Sequence, residues 1–473
     1  MERRLTLISL VLISIISVST RFYKLSNFGP WADERISIGI ANGMTLSDPI
    51  KKEVFTNFDI KSENSVKNVL RATVLDNGNS SLYNMILHYW LILYGNTEYS
   101  ARLLSAICSI LIVPLGYLFA KEISNSNLFL ITTTLWLSID PILIQDSHEI
   151  RAYSMATLFS FISSYLLFLI VFNKSRGGYL YIFYSLFAFF SILSHYLTGY
   201  ILLAHFIIFL YFKKDKTTDF KLIVCGMTVC LLFLFWLFWG GLKGFKMLNQ
   251  QFSGWDVQIS EGNPYLLPLT FKNVIAGWIQ VFLQLFGIPF QDFGIRMRSF
   301  FVLILIPFTT ISLSYFLKQD NEIRKKLIFL GILTFTQIIF ATSAAFLQGH
   351  CRPFLVAYSV FSAPSAIILL AFSVYFTAQI KKVVFWFLFL FFSFNMFISI
   401  FPIYSDNQGN SEPRNRNPHF LAANTIAMTY QKNDTIRFAN IETARLVNIY
   451  LPDSILIFQT IDSASGIKIQ PIR

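Results

Sequence analysis

Apolar runs of about sixteen to twenty-six residues recur along almost the whole chain, and most of the charge sits in the short stretches between them. A helix needs about twenty such residues to cross the hydrocarbon core of a bilayer. The pattern predicts eleven membrane helices, at about 5–20, 98–119, 127–145, 153–172, 179–194, 197–212, 221–240, 299–317, 327–347, 353–378 and 383–403. Two further apolar stretches, 82–94 and about 271–289, are short, aromatic or interrupted. They are read as amphipathic helices lying on the outer membrane face.

Positive charge sets the sides. Arg3 and Arg4 place the N-terminus in the cytoplasm, and Lys121, Lys174, Arg176, Lys213-Lys214, Arg324-Lys325-Lys326 and Lys381-Lys382 then fall on that same side. A span at 82–94 or 271–289 would scatter those clusters over both sides. The start, Met1-Glu2-Arg3-Arg4 before Leu5 to Val18, also fits a signal peptide, but the many later spans favour an uncleaved first helix. The chain thus reads as an all-α polytopic membrane protein. A transmembrane domain (1–403) carries external loops at 21–97 and 241–298, with juxtamembrane helices in them. A small external α+β segment follows at 404–473, with a helical pattern near 419–432 and β-like runs at Thr435–Ala439 and Ser454–Gln459.

Composition agrees. Of 473 residues 54% are hydrophobic and 14% charged, against about a quarter charged in soluble domains. The net charge of +12 is clustered between spans, as topology requires, and does not indicate nucleic acid. Cys108, Cys225, Cys230 and Cys351 have no zinc or disulfide spacing. No tightly held structural metal is expected, while a divalent ion shared between carboxylates and a substrate phosphate is compatible with the residues present.

The unusual polar residues gather on the outer face. Asp33 and Glu34, in Trp31-Ala32-Asp33-Glu34-Arg35, are adjacent carboxylates beside an Arg: either a solvated loop with a local ion pair or a general base tuned by neighbouring charge. Glu149 and Arg151, in His148-Glu149-Ile150-Arg151-Ala152-Tyr153, are either interfacial anchors or a substrate contact, since Arg suits phosphate. Ser194-His195-Tyr196 and His350-Cys351-Arg352-Pro353 lie in further external turns. Asp140 and His205 sit inside spans, where an ionisable group usually faces the bundle.

The order of these motifs resembles the C-type membrane glycosyltransferases, in the bacterial branch similar to protein O-mannosyltransferases and lipid A aminoarabinose transferases. The resemblance rests on Asp33-Glu34, Leu82-Tyr83, Tyr94-Gly95, Ala101-Arg102-Leu103, Glu149 with Arg151 and Tyr153, His195-Tyr196, and Arg352 with Pro364. Two positions depart from the family: Asn79-Ser80-Ser81 stands where His-Pro-Pro is usual, and Pro353-Phe354 follows Arg352 where a Tyr is common. The resemblance implies transfer of a sugar from a polyprenyl-phosphate donor, with inversion, to a lipid, glycan or protein acceptor outside the bacterial inner membrane. Asp33 would be the base. Glu34 and Glu149 would position donor, acceptor or a cation, Arg151 and Arg352 would meet the phosphate, and Tyr83, Tyr153, His195 and Tyr196 would line the site. A lipid-linked polysaccharide polymerase or ligase is the alternative, and a transporter or flippase a further one. The nearly charge-free spans and the absence of an internal repeat speak against transport.

Overall fold

The computed structural model describes residues 2–44, 54–56, 65–172, 177–212, 215–244, 267–287, 316, 319–351, 354, 358–404, 418–431, 435–438, 447, 451, 456–459 and 468–469. Helices dominate. In chain order they are α1 (Glu2–Phe22), α2 (Ala32–Ala41), α3 (Val66–Leu75), α4 (Ser81–Tyr94), α5 (Glu98–Ile123), α6 (Asn127–Ile139), α7 (Pro141–Ser147) and α8 (Tyr153–Phe172). They continue as α9 (Tyr179–Ser194), α10 (Gly199–Tyr211), α11 (Lys216–Trp236), α12 (Phe271–Leu285), α13 (Asn321–Gln348), α14 (Ala363–Ala378), α15 (Lys382–Tyr404) and α16 (Pro418–Thr429).

Among the described residues seven stretches are long and apolar enough to cross a membrane, or eight if α6 and α7 form one bent span; α9 and α10 are shorter apolar helices. The predicted segment at 299–317 lies outside the described residues apart from Phe316, and the other predicted segments are largely helical where they are described. Leu7, Phe235, Phe238, Val383 and Phe394 are exposed on the outer helices α1, α11 and α15 and the helical turn that continues α11. In water that surface would be unfavourable, and against lipid chains it is not. The protein is a multi-pass membrane protein. Its most buried helices, α8 and α14, form the centre, with α5, α6 and α9 packed around them.

Two predicted segments differ in detail, both because of proline. The span expected at 127–145 is broken at Asp140 and bent by 43°. Pro141 has no N–H and cannot continue α6, but it fits the first turn of a new helix. Asp140 caps that helix, its carboxylate accepting the Leu143 N–H at 2.9 Å. The break leaves carbonyls at the end of α6 without helical donors. Arg21, fully buried at the end of α1, supplies them: its guanidinium donates to the Leu137 and Ser138 carbonyls at 3.0 and 2.7 Å, and to Ser109 Oγ at 2.9 Å. Of the segment expected at 353–378, the described part has a 3-10 turn at Val360–Ser362 followed by regular helix from Ala363, with Pro364 in its first turn.

The stretches 82–94 and 271–289 are helical, as α4 and α12. Both β-like runs of the tail are strands, β2 (Thr435–Phe438) and β3 (Leu456–Gln459). Two strands were not anticipated: β1 (Val54–Thr56) in the first loop and β4 (Lys468–Ile469). The four form one sheet in the order β1-β3-β2-β4. β3 pairs antiparallel with β1 and parallel with β2, so the tail is hydrogen-bonded to the first loop.

Candidate active site

Asp33 and Glu34 lie in the first turn of α2, where carboxylates favour the positive end of the helix. Neighbours on a helix are about 100° apart, and here the two diverge completely. Glu34 is buried with no exposed surface. Its Oε1 accepts from Arg102 Nε at 3.1 Å and from the Ile150 N–H at 2.8 Å. Its Oε2 accepts from Arg102 Nη2 at 2.8 Å and from the Trp31 N–H at 3.1 Å. Arg102, equally buried on α5, spends its remaining donors on the carbonyls of Leu25, Phe28 and Gly29. Glu34 is thus the centre of a closed network that fixes α2 to α5 and to the turn before α8. Arg35 takes no part and donates from Nε to the Pro30 carbonyl at 2.6 Å.

Asp33 faces the other way. Its side chain is 41% exposed and meets Arg151 Nη2 at 3.5 Å, a long and open ion pair. Arg151 Nη1 also donates to the Asp33 carbonyl at 3.3 Å, and the guanidinium lies 5.8 Å from the centre of the Tyr153 ring. Arg151 is held by the Tyr153 side chain and the Asp33 backbone carbonyl and pairs only loosely with the Asp33 carboxylate, which leaves it able to receive an anion. Glu149 comes from the same turn. Burial, then the charge of Glu34, pushes its carboxyl up to about 7, although Arg151 partly offsets this.

The opposite wall is a second turn pair. His195 packs at a tilt against the rings of Tyr153 and Phe361, with centres 5.1 and 5.4 Å away. Burial, with help from Arg151, pushes it down to about 3, so the imidazole is neutral. Tyr196 donates its hydroxyl to the Gly78 carbonyl and accepts from Trp236 Nε1 at 2.9 Å. Burial pushes its phenol up to about 12. Asn79, where the resemblance leads one to expect His, joins the two turns. Its Oδ1 accepts the N–H groups of Ser80 and Tyr196, each at 2.9 Å, and its amide nitrogen lies 3.3 Å from His195 Nε2.

The 76–80 turn is tightly determined. Asn77 takes the left-handed conformation (φ 89°) and the Gly78 N–H returns to the Thr73 carbonyl at 2.8 Å, a Schellman closure of α3. Ser80 is also left-handed (φ 60°). Gly244 touches this turn so closely that a Cβ there would lie 2.5 Å from the Asn77 carbonyl atoms.

The structure therefore brings Asp33, Glu34, Glu149, Arg151, Tyr153, His195 and Tyr196 together. Tyr83 is buried in α4 beside Ser105, in the wall rather than on its surface. Arg352 lies outside the described residues. The sequence names Arg102 and Asn79 only within motifs of the resemblance and gives neither a role, and it does not mark Asp76, which caps α3 within electrostatic reach of Arg151 and Asp33. Among the described residues no group of three or more His, Cys, Asp or Glu side chains has the geometry to hold a metal ion.

Residues 81–239, about a third of the chain, match the family model described as dolichyl-phosphate-mannose-protein mannosyltransferase. No curated protein sequence matches. Among solved structures, apo ArnT from Cupriavidus metallidurans superposes with a TM-score of 0.58 at 11% identity, over 96% of this chain and 86% of that one. The same protein bound to undecaprenyl phosphate gives 0.53 at 12% identity, over 94% and 85%. The archaeal oligosaccharyltransferase AglB from Archaeoglobus fulgidus, in complex with an inhibitory peptide and a dolichol-phosphate, gives 0.50 at 11% identity, over 96% and 65%.

Proposed function

We propose that this chain, which has the C-type fold of membrane glycosyltransferases, moves a sugar from a polyprenyl-phosphate donor to an acceptor hydroxyl, with inversion. The donor class follows the matched family description and the lipid phosphates bound in the similar structures. The single observation that carries the mechanism is the division of labour within one acidic pair: Glu34 is consumed by its network, while Asp33 is open beside Arg151.

In this reading Asp33 takes the proton of the acceptor hydroxyl as its oxygen attacks the anomeric carbon. The bond from that carbon to the phosphate oxygen breaks, and the electron pair leaves with the polyprenyl phosphate. Charge develops on the leaving phosphate, and a guanidinium aimed there stabilises the transition state more than the ground state. Arg151 supplies it, with Arg352 as a second candidate. Glu34 positions Asp33, Glu149 borders Arg151, and neutral His195 with Tyr153 and Tyr196 forms an aromatic wall for the sugar. The positive clusters between spans support a site on the external face.

The test uses purified protein, labelled polyprenyl-phosphate sugars and a cell-envelope acceptor fraction. Asp33→Asn is expected to lose at least a hundredfold in transfer, as removal of a positioned base does. Normal turnover by that variant would exclude Asp33 as the base, and a cytoplasmic signal from a topology reporter at residue 40 would exclude the external site.

A further inference from the structure

Asp76 stands where a carboxylate is electrostatically unwelcome on three counts. It caps the C-terminal end of α3, the negative end of the helix dipole, and the last turn of α3 holds no basic residue. It is largely buried, and it is close enough to Asp33 to feel its charge. Burial first, with Asp33 adding to it and Arg151 opposing, pushes its carboxyl up to about 6.

The turn does not need this side chain. The Asp76 N–H bonds the Ala72 carbonyl at 2.9 Å, and the Schellman closure runs through Asn77 and Gly78. Asn79, Tyr196 and the close approach of Gly244 hold the next residues in place. Among the described residues no hydrogen bond to the Asp76 carboxylate is formed, so its oxygens are available to something else. Arg151 pairs with the Asp33 carboxylate at 3.5 Å and also attracts the Asp76 carboxylate. A carboxylate within electrostatic reach of both Arg151 and the base, on the turn that Asn79 bonds to His195 and Tyr196, and with free acceptor oxygens, is suited to a neutral hydroxyl. A second anion there would be repelled.

We propose that Asp76 is a substrate-binding residue of this site, accepting a hydrogen bond from a sugar hydroxyl while Asp33 acts on the reacting one. The inference rests on the glycosyl-transfer reading given above. The hydroxyl belongs either to the transferred sugar or to a glycan acceptor, and steady-state kinetics separate the two.

The full chain in lipid nanodiscs is compared with Asp76→Asn, Asp76→Glu and Asp33→Asn. Unfolding temperature, affinity for undecaprenyl phosphate, and transfer from labelled polyprenyl-phosphate sugars are measured. Asp76→Asn is expected to unfold at the same temperature or a higher one and to bind undecaprenyl phosphate as tightly or more tightly. Its kcat/KM should fall about 10- to 100-fold, the worth of a hydrogen bond to a charged group. A raised KM for the donor assigns the hydroxyl to the transferred sugar, and a raised KM for the acceptor assigns it to the acceptor. Unchanged kinetics overturn the inference. So does a lower unfolding temperature with weakened lipid-phosphate binding, which would mean that Asp76 serves only to hold Arg151. Full activity of Asp76→Asn beside an inactive Asp33→Asn overturns this inference alone. An inactive wild type overturns the underlying reading and this inference with it.

Discussion

Two carboxylates adjacent in the chain, Asp33 and Glu34, are expected to answer the same conservative substitution in opposite ways. In Glu34→Gln the shape is kept, but one acceptor oxygen becomes an NH2 group. If that group replaces Oε1 it faces Arg102 Nε–H and the Ile150 N–H; if it replaces Oε2 it faces Arg102 Nη2 and the Trp31 N–H. Either way two buried N–H donors lose their acceptor. Arg102, itself 2% exposed, keeps its charge and loses its counter-charge. Each orphaned group costs about 1–3 kcal/mol, and breaking one side of a buried pair typically costs about 3–5 kcal/mol. Asp33→Asn disturbs only a 3.5 Å pair on a side chain 41% exposed, worth at most about 1 kcal/mol. Thermal unfolding followed by tryptophan fluorescence in nanodiscs, alongside transfer activity, separates the two. Glu34→Gln should lower the unfolding temperature by many degrees, with activity falling as folded protein is lost. Asp33→Asn should unfold like the wild type and be inactive. A Glu34→Gln protein as stable as wild type would refute the closed network.

The other expectations concern the turns around this pair. Glu149 has a carboxyl raised from 4.5 to about 7 in the folded protein. Its ionisation therefore opposes folding: the penalty is absent below about pH 4.5, grows through the window up to 7 and is complete above it. Glu149→Gln should thus gain up to about 2–3 kcal/mol at pH 8, at 1.36 kcal/mol per unit, and nothing near pH 4.5; unfolding scans at both pH values check this. Gly244→Ala places a Cβ 2.5 Å from backbone atoms of Asn77 and Gly78, which cannot yield as a side-chain tip can. Loss of transfer activity with a lowered unfolding temperature is expected, and a fully active variant would show that the 76–80 turn is free to shift.

Much of the membrane architecture is legible in the sequence because one property, apolar run length, is both local and sufficient. The positions that were missed share the opposite character. Arg102 sits in a stretch that reads as helix start, and nothing near it announces a partner 68 residues earlier. Arg21 looks like a flanking charge at the end of a span, and its true role depends on a helix break more than a hundred residues away. The break itself is written in Asp140-Pro141, as cap and first-turn proline, inside an apolar run whose length alone suggests one continuous helix. Asp76 follows an apolar helix and precedes Asn77-Gly78, which is ordinary turn composition. Only its neighbours in space make it unusual. Asn79 was noted as a departure from the family, and its function as a link between two turns required the fold.

The sheet that joins the first loop to the tail sets a schedule for biosynthesis. β1 is made early, yet its partner β3 follows roughly 400 residues later. At about 5–20 residues per second of synthesis, the loop that carries β1 waits on the order of 20–80 s with its strand edge unpaired. During that interval α2 and Asp33 are already synthesised, but the element that ties their loop down has not been translated. The site is therefore assembled from both ends of the chain, and a ribosome that stalls before β3 leaves the loop without the strand that completes it.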